Sequence, residues 1–98
     1  MRLKSYKAGL LKKLRDPEFA AEYLNQTLAE NDPQAFLVAL RDVVEAAGGV
    51  GTLARAVKLK RASLYKVLST QGNPTVATLQ EVLGPLGLRM SVGLAKAA

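Results

Sequence analysis

The chain has 98 residues, with 14 lysines and arginines against 8 aspartates and glutamates, and it contains no histidine, cysteine or tryptophan. That length defaults to one domain, and 49% hydrophobic with 22% charged residues is a globular composition, not a disordered one. Without cysteine there are no disulfides or thiolate sites, and without histidine the commonest general base and metal ligand is missing; no cofactor is expected, and an enzyme is the least favoured class.

Residues 1–15 carry six bases and no acid. Leu3, Tyr6, Leu10 and Leu14 recur at helical spacing and predict an amphipathic helix over 3–14. Its lysines interrupt any signal-peptide core, and no run approaches 18 apolar residues, so the chain reads as a cytoplasmic protein of bacterial or phage origin with no membrane partner. Asp16-Pro17 starts a second helix: the aspartate accepts from free amides, and proline at the first helical position loses no hydrogen bond. Phe19, Tyr23, Leu24 and Leu28 supply its apolar stripe. Asp32-Pro33 repeats the device and opens a third helix with Phe36, Leu37, Leu40, Val43 and Val44 inward. Gly48-Gly49 stops it. Residues 16–49 hold seven acids and one base, Arg41, whereas residues 50–98 hold seven bases and one acid, Glu81. Blocks of opposite sign predict two faces with different partners, and a basic face suits phosphate; plain solubility is the bland alternative.

Two short helices follow, Thr52–Val57 and Arg61–Leu68, separated only by Lys58-Leu59-Lys60. So tight a joint forces a steep crossing, and Ala54 is small enough to sit where the helices touch. Leu53, Val57, Leu59, Leu64, Val67 and Leu68 make the inward set. Subtracting them leaves Arg61, Ala62, Tyr65, Lys66 and Ser69 outward, the pattern of a helix-turn-helix whose second helix enters the major groove. Beyond the loop at 70–74, Thr75 caps a last helix carrying Val76, Leu79, Val82 and Leu83. Gly84-Pro85 ends or kinks it. Leu88-Arg89-Met90-Ser91-Val92 then alternates like a strand. A lone strand pairs with another chain or stays irregular; pairing with its own copy through Leu88, Met90 and Val92 is the economical arrangement, and addition to a partner's sheet is the alternative.

The run Leu14-Arg15-Asp16-Pro17-Glu18, then Tyr23-Leu24-Asn25, Asp32-Pro33, Phe36-Leu37, Ala39 to Val43 and Gly48-Gly49 resembles the addiction-module antidote proteins. These are prophage-type, HigA-like antitoxins of the Xre/Cro helix-turn-helix class. Leu53-Ala54, Leu64-Tyr65, Gly72-Asn73-Pro74 and Leu86-Gly87-Leu88-Arg89 continue the likeness from about Leu10 to Val92. The resemblance implies an all-α fold of five to six helices. Its expected parts are an N-terminal helical extension (1–31), a helix-turn-helix DNA-binding domain (32–87) and a C-terminal strand and tail (88–98). It also implies a dimer that represses its own operon and binds a small toxin of the RelE/ParE/HigB type. The departures are Lys58, where the family has a turn glycine, Lys60, where it has a capping Ser or Thr, and Pro85, within the family's last helix. A left-handed lysine would cost about 1 kcal/mol, and a lost cap about the same. The two lysines thus read as turn stability exchanged for charge at the DNA face.

Arg61 and Lys66 are the expected groove or phosphate contacts, since arginine grips guanine in two places and lysine acts as a point charge. Lys58 and Lys60 stand where phosphate contact precedes base readout. Ala62, Ser63 and Tyr65 share or border that face. Thr52 is placed to meet phosphate beside helix amides, and Asn73 and Thr75 are weaker candidates. Palindromic double-stranded operator DNA is the expected ligand. Glu18, Glu22 and Tyr23 are candidate toxin contacts, with Glu30 and Asp32 in the same acidic block, since an acidic face complements a basic ribonuclease-like toxin; a solvated helix face is the alternative. A stand-alone Xre-type repressor shares every DNA-face residue and lacks only the toxin.

Overall fold

The computed structural model describes residues 2–69 and 71–96, with side chains from residue 5 onward. Six helices follow one another: α1 (Arg2–Leu14), α2 (Pro17–Ala29), α3 (Pro33–Ala46), α4 (Val50–Ala56), α5 (Arg61–Val67) and α6 (Val76–Leu83). A tight 3-10 turn (Gly84–Leu86) finishes α6, so the expected break at Gly84-Pro85 is a narrowing of the helix. The described residues are all-helical, with no strand, and no helix among them is long and apolar enough to cross a membrane.

Both Asp-Pro starts work as their chemistry requires. Asp16 Oδ1 accepts from the Glu18 amide at 3.0 Å, and Asp32 Oδ1 accepts from the Ala35 amide at 3.0 Å. The helix ends are equally local. Asn31 takes the left-handed conformation (φ 54°) after α2, the Asn31 amide donates to Leu28 C=O, and the Asp32 amide donates to Thr27 C=O. This pair of bonds is the Schellman motif, which satisfies the last carbonyls of a helix. Gly48 (φ 115°) repeats it after α3, with the Gly48 amide on Glu45 C=O and the Gly49 amide on Val44 C=O. A side chain on Gly48 would crowd Thr52 as well as adopt a strained backbone.

α3 is the hub. Its Leu37, Ala39, Leu40, Val43 and Val44 are buried, and α1, α2 and α4 all pack on it. Leu14, Leu24, Leu53, Leu64, Leu68, Val82 and Leu83 join the same core, so α1 and α2 are built into it. The stripe of α1 leaves the core toward its start: Leu14 is buried and Leu10 half-buried, but Tyr6 is 73% exposed.

One polar knot ties the first three helices. The Tyr23 hydroxyl of α2 donates to Asp42 Oδ2 of α3 at 2.9 Å. Lys7 of α1 pairs with Asp42 at 3.4 Å and with Glu45 at 3.1 Å. Burial, and then the bond to Asp42, push the Tyr23 hydroxyl from its ordinary value of 10.0 up to about 12. The bond to Glu45 and the Asp42 charge raise the Lys7 ammonium above its ordinary 10.5. Nothing in the sequence spacing marked this contact, because its partners meet only in the folded chain.

The expected strand over 88–92 is not formed in the protomer. The Leu88 amide donates to Leu83 C=O at 3.0 Å, and the half-buried Leu88 side chain rests on the core. Beyond it the chain has no regular structure through residue 96. The physical reason is the absence of a second strand to complete a ladder.

Both knot groups are protonated below pH 10 and have raised folded values. Their contribution to stability is therefore complete below pH 10 and is lost as pH climbs through their folded values, about 12 for Tyr23 and above the ordinary 10.5 for Lys7. Tyr23→Phe should lower stability at neutral pH by about 1 kcal/mol and flatten part of the alkaline decline, as measured by thermal melting between pH 8 and 12.

Candidate nucleic-acid interface

α4 and α5 pack together across the turn 57–60. Leu53, Leu64 and Leu68 are buried, and Ala54, Val57 and Leu59 are half-buried against them. With those side chains inward, Arg61, Ala62, Ser63, Tyr65 and Lys66 of α5 are exposed together, alongside Lys58 and Lys60 in the turn and Arg55 at the end of α4. The sequence holds no carboxylate between Glu45 and Glu81. Both ion pairs found among the described residues belong to Lys7. Among the described residues, then, the five cations of this face, Arg55, Lys58, Lys60, Arg61 and Lys66, form no ion pair.

Arg61 is drawn back across the joint. Its guanidinium carbon lies 5.8 Å from the centroid of the Tyr65 ring, and a side-chain carbon built on Gly51 of α4 would lie 3.6 Å from it. The ring face attracts the cation, and the bare surface of Gly51 leaves room for the planar group. Tyr65, read from the sequence as sharing or bordering the DNA face, is in contact with Arg61.

α4 begins two residues earlier than expected, at Val50, after Gly49. Thr52 is thus the third helical residue, and its hydroxyl donates to Gly48 C=O at 3.1 Å while lying 3.5 Å from Arg55 Nη2. The Thr75 hydroxyl is engaged too: it accepts from the Thr78 amide at 3.1 Å and caps α6. Asn73 is exposed. Gly72, just before it, is demanded by close packing, since a Cβ there would collide with the Val67 carbonyl oxygen.

The turn itself corrects one expectation. Among the described residues, Asn31 is the non-glycine with positive φ, so Lys58 is not left-handed and carries no such strain. Lys60 is different. It is the N-cap of α5 (φ −69°, ψ 150°) and makes no side-chain cap bond. Of the two costs assigned to these lysines, only the missing cap is real.

The acidic residues lie on other elements. Glu18, Glu22 and Glu30 are exposed on or just after α2, whereas Asp32 caps α3, and Asp42 and Glu45 hold Lys7. Tyr23, grouped with Glu18 and Glu22 as a toxin contact, has its hydroxyl committed to Asp42 inside the chain.

Residues 4–94 match the profile of a family described as probable addiction module antidote proteins. A protein of Haemophilus influenzae, itself described as uncharacterised, is 40% identical over 70 residues, covering 71% of each chain. No solved structure matches.

Lys60→Ser should supply the missing cap and raise stability by about 1 kcal/mol. Lys58→Gly, with no strain to relieve, should lower it by about 0.5 kcal/mol through greater freedom of the unfolded chain. Thermal melting of the two single variants separates these effects.

Proposed function

The chain belongs to the family of probable addiction module antidote proteins, and from that premise we propose that it is a sequence-specific DNA-binding antitoxin of the Xre/Cro helix-turn-helix class. Family membership supports an antitoxin role and implies a toxin partner. In this reading the protein works in the cytoplasm, represses its own operon as a dimer and neutralises a small RelE/ParE/HigB-like toxin.

The observation that carries the DNA reading is the carboxylate-free basic face of α4 and α5. Five exposed cations that form no ion pair among the described residues are kept only at a cost in self-repulsion, and a polyphosphate relieves it. α5 presents Arg61, Ala62, Tyr65 and Lys66 to the groove. Arg61 must leave Tyr65 to reach a base, so its readout is coupled to that ring. Lys58 and Lys60 meet the backbone, with Thr52, Ser63, Asn73 and Thr75 at the margin. Dimerisation through the C-terminal segment of Leu88, Met90 and Val92 belongs to the same reading, because two half-sites about one helical turn apart require two copies. The exposed Glu18 and Glu22, four residues apart on α2 and mutually repulsive, are offered to a basic toxin, with Tyr23 beneath them holding α2 in place.

Binding to duplex DNA taken from upstream of the chain's own reading frame should fall about 10³–10⁵-fold between 50 and 200 mM salt, given roughly 6–10 phosphate contacts per dimer. Lys66→Ala should weaken it further and flatten the salt slope by about one unit per protomer. Affinity that ignores salt and the Lys66 side chain would sink the DNA reading.

The toxin reading has its own test. The adjacent small reading frame, expressed alone, should arrest growth, and co-expression with this chain should restore it with the two proteins eluting together. An innocuous neighbour that never co-elutes would leave a stand-alone repressor.

A further inference from the structure

A groove of about 430 Å³ opens between α2, α3, the 72–74 loop and α6. Its floor is apolar: Leu28, Phe36, Leu79, Leu83 and Leu88 line it, and Leu28 is left 54% exposed. Asn25, Asn31 and Asn73 stand exposed among its lining residues, with amide groups suited to an extended backbone. The tail begins at its mouth, where Arg89, Met90 and Ser91 form part of the wall. The tail then leaves the body: Val92 and Leu94 are both fully exposed, two residues apart and so on one face of an extended chain.

We propose that the tail of one copy, residues 92–96, lies in this groove of a second copy, and reciprocally. Val92 and Leu94 are the apolar residues the groove lacks, and the groove is the apolar surface they lack. Charge agrees with this occupant. The inserted segment, residues 92–96, carries Lys96 and no acidic side chain, and the acidic residue of the lining, which also holds Arg89, is Asp32. Reach agrees too, since residues 89–96 extended span about 26 Å. Because each tail leaves from the mouth of its own groove, a two-fold axis beside Arg89 delivers both tails at once, which is the closed arrangement expected of a homodimer.

This deepens the dimer reading above and is separate from the DNA reading, whose main residues lie on α4, α5 and the turn between them; the marginal Asn73 is the residue the two share. The chain has no cysteine, so single cysteines report pairing cleanly. Leu28→Cys protein mixed with Leu94→Cys protein should, on oxidation, give a covalent dimer joining one chain of each kind. Asn25→Cys, on the exposed rim, replaces Leu28→Cys if that variant folds poorly. Leu94→Glu should weaken self-association at least tenfold by sedimentation. A dimer that cross-links tail to tail through Leu94→Cys in place of tail to groove overturns the proposal and spares the dimer. A chain carrying both cysteines that closes on itself as a monomer overturns it in favour of the protomer's own tail. Tail capture seen only when the toxin is added assigns the groove to the toxin instead. A chain that stays monomeric at tens of micromolar overturns both the groove and the dimer.

Discussion

The inward stripe of α3 is the surface on which the rest of the molecule is hung. Leu40, Val43 and Val44 are buried in the shared core cluster, and Ala39 is small enough to let neighbouring backbones approach. Each buried leucine or valine contributes about 1.5–3 kcal/mol of burial, so no single peripheral helix competes with this stripe as an organising element. α1 and α2 reach it through leucines and through the Tyr23–Asp42–Lys7 knot. α4 reaches it directly, and α5 and α6 complete the core beyond. The position of the basic face therefore follows from the hub, because α5 is aimed by what Leu64 and Leu68 must bury.

Much of this was legible in the chain because its punctuation is local. Asp16-Pro17 and Asp32-Pro33 carry both the cap and the pre-set backbone angle, and Gly48-Gly49 carries the stop; none needs a tertiary partner to act. Most of the inward set of α4 and α5 was equally legible, since a short joint leaves few ways to bury its apolar residues; Val67 alone of the six is half-buried outside the core cluster. What could not be read depends on distant partners or on backbone angles. Tyr23 reads both as part of the apolar stripe of α2 and as a toxin contact, and only the fold brings its hydroxyl to Asp42, nineteen residues away. Lys58 was taken as strained by comparison with a glycine, yet the turn closes without a left-handed residue there. The alternation at 88–92 is genuine strand periodicity, but periodicity states a preference for pairing and cannot provide the pair.

The three blocks of charge become three separate electrostatic situations in the folded molecule. α1 spends Lys7 on α3, while Lys12, Lys13 and Arg15 remain in solvent at its other end. The acidic block divides: Asp16, Asp32, Asp42 and Glu45 serve caps and the knot, which leaves Glu18, Glu22 and Glu30 on the outside of α2. In the basic block of α4 and α5, Arg61 leans on Tyr65 and Arg55 reaches Thr52, but none of its cations is in an ion pair among the described residues. Charges with no structural work in the chain are the ones available to ligands, and they are segregated by sign onto different helices. A protein with one acidic and one basic partner has reason to keep those faces apart, since each would otherwise attract the wrong one.

The Schellman closures after α2 and α3, together with the two Asp-Pro starts, also bear on how quickly the fold is reached. Every junction from Asp16 to Gly49 is specified by residues within six positions of one another, so each helix pair is turned before any distant contact forms. Chains whose contacts are mostly of this kind collapse with little loop-closure entropy and fold in about microseconds to milliseconds. In the proposed dimer the slow step is then the meeting of chains, whose rate is set by concentration rather than by folding.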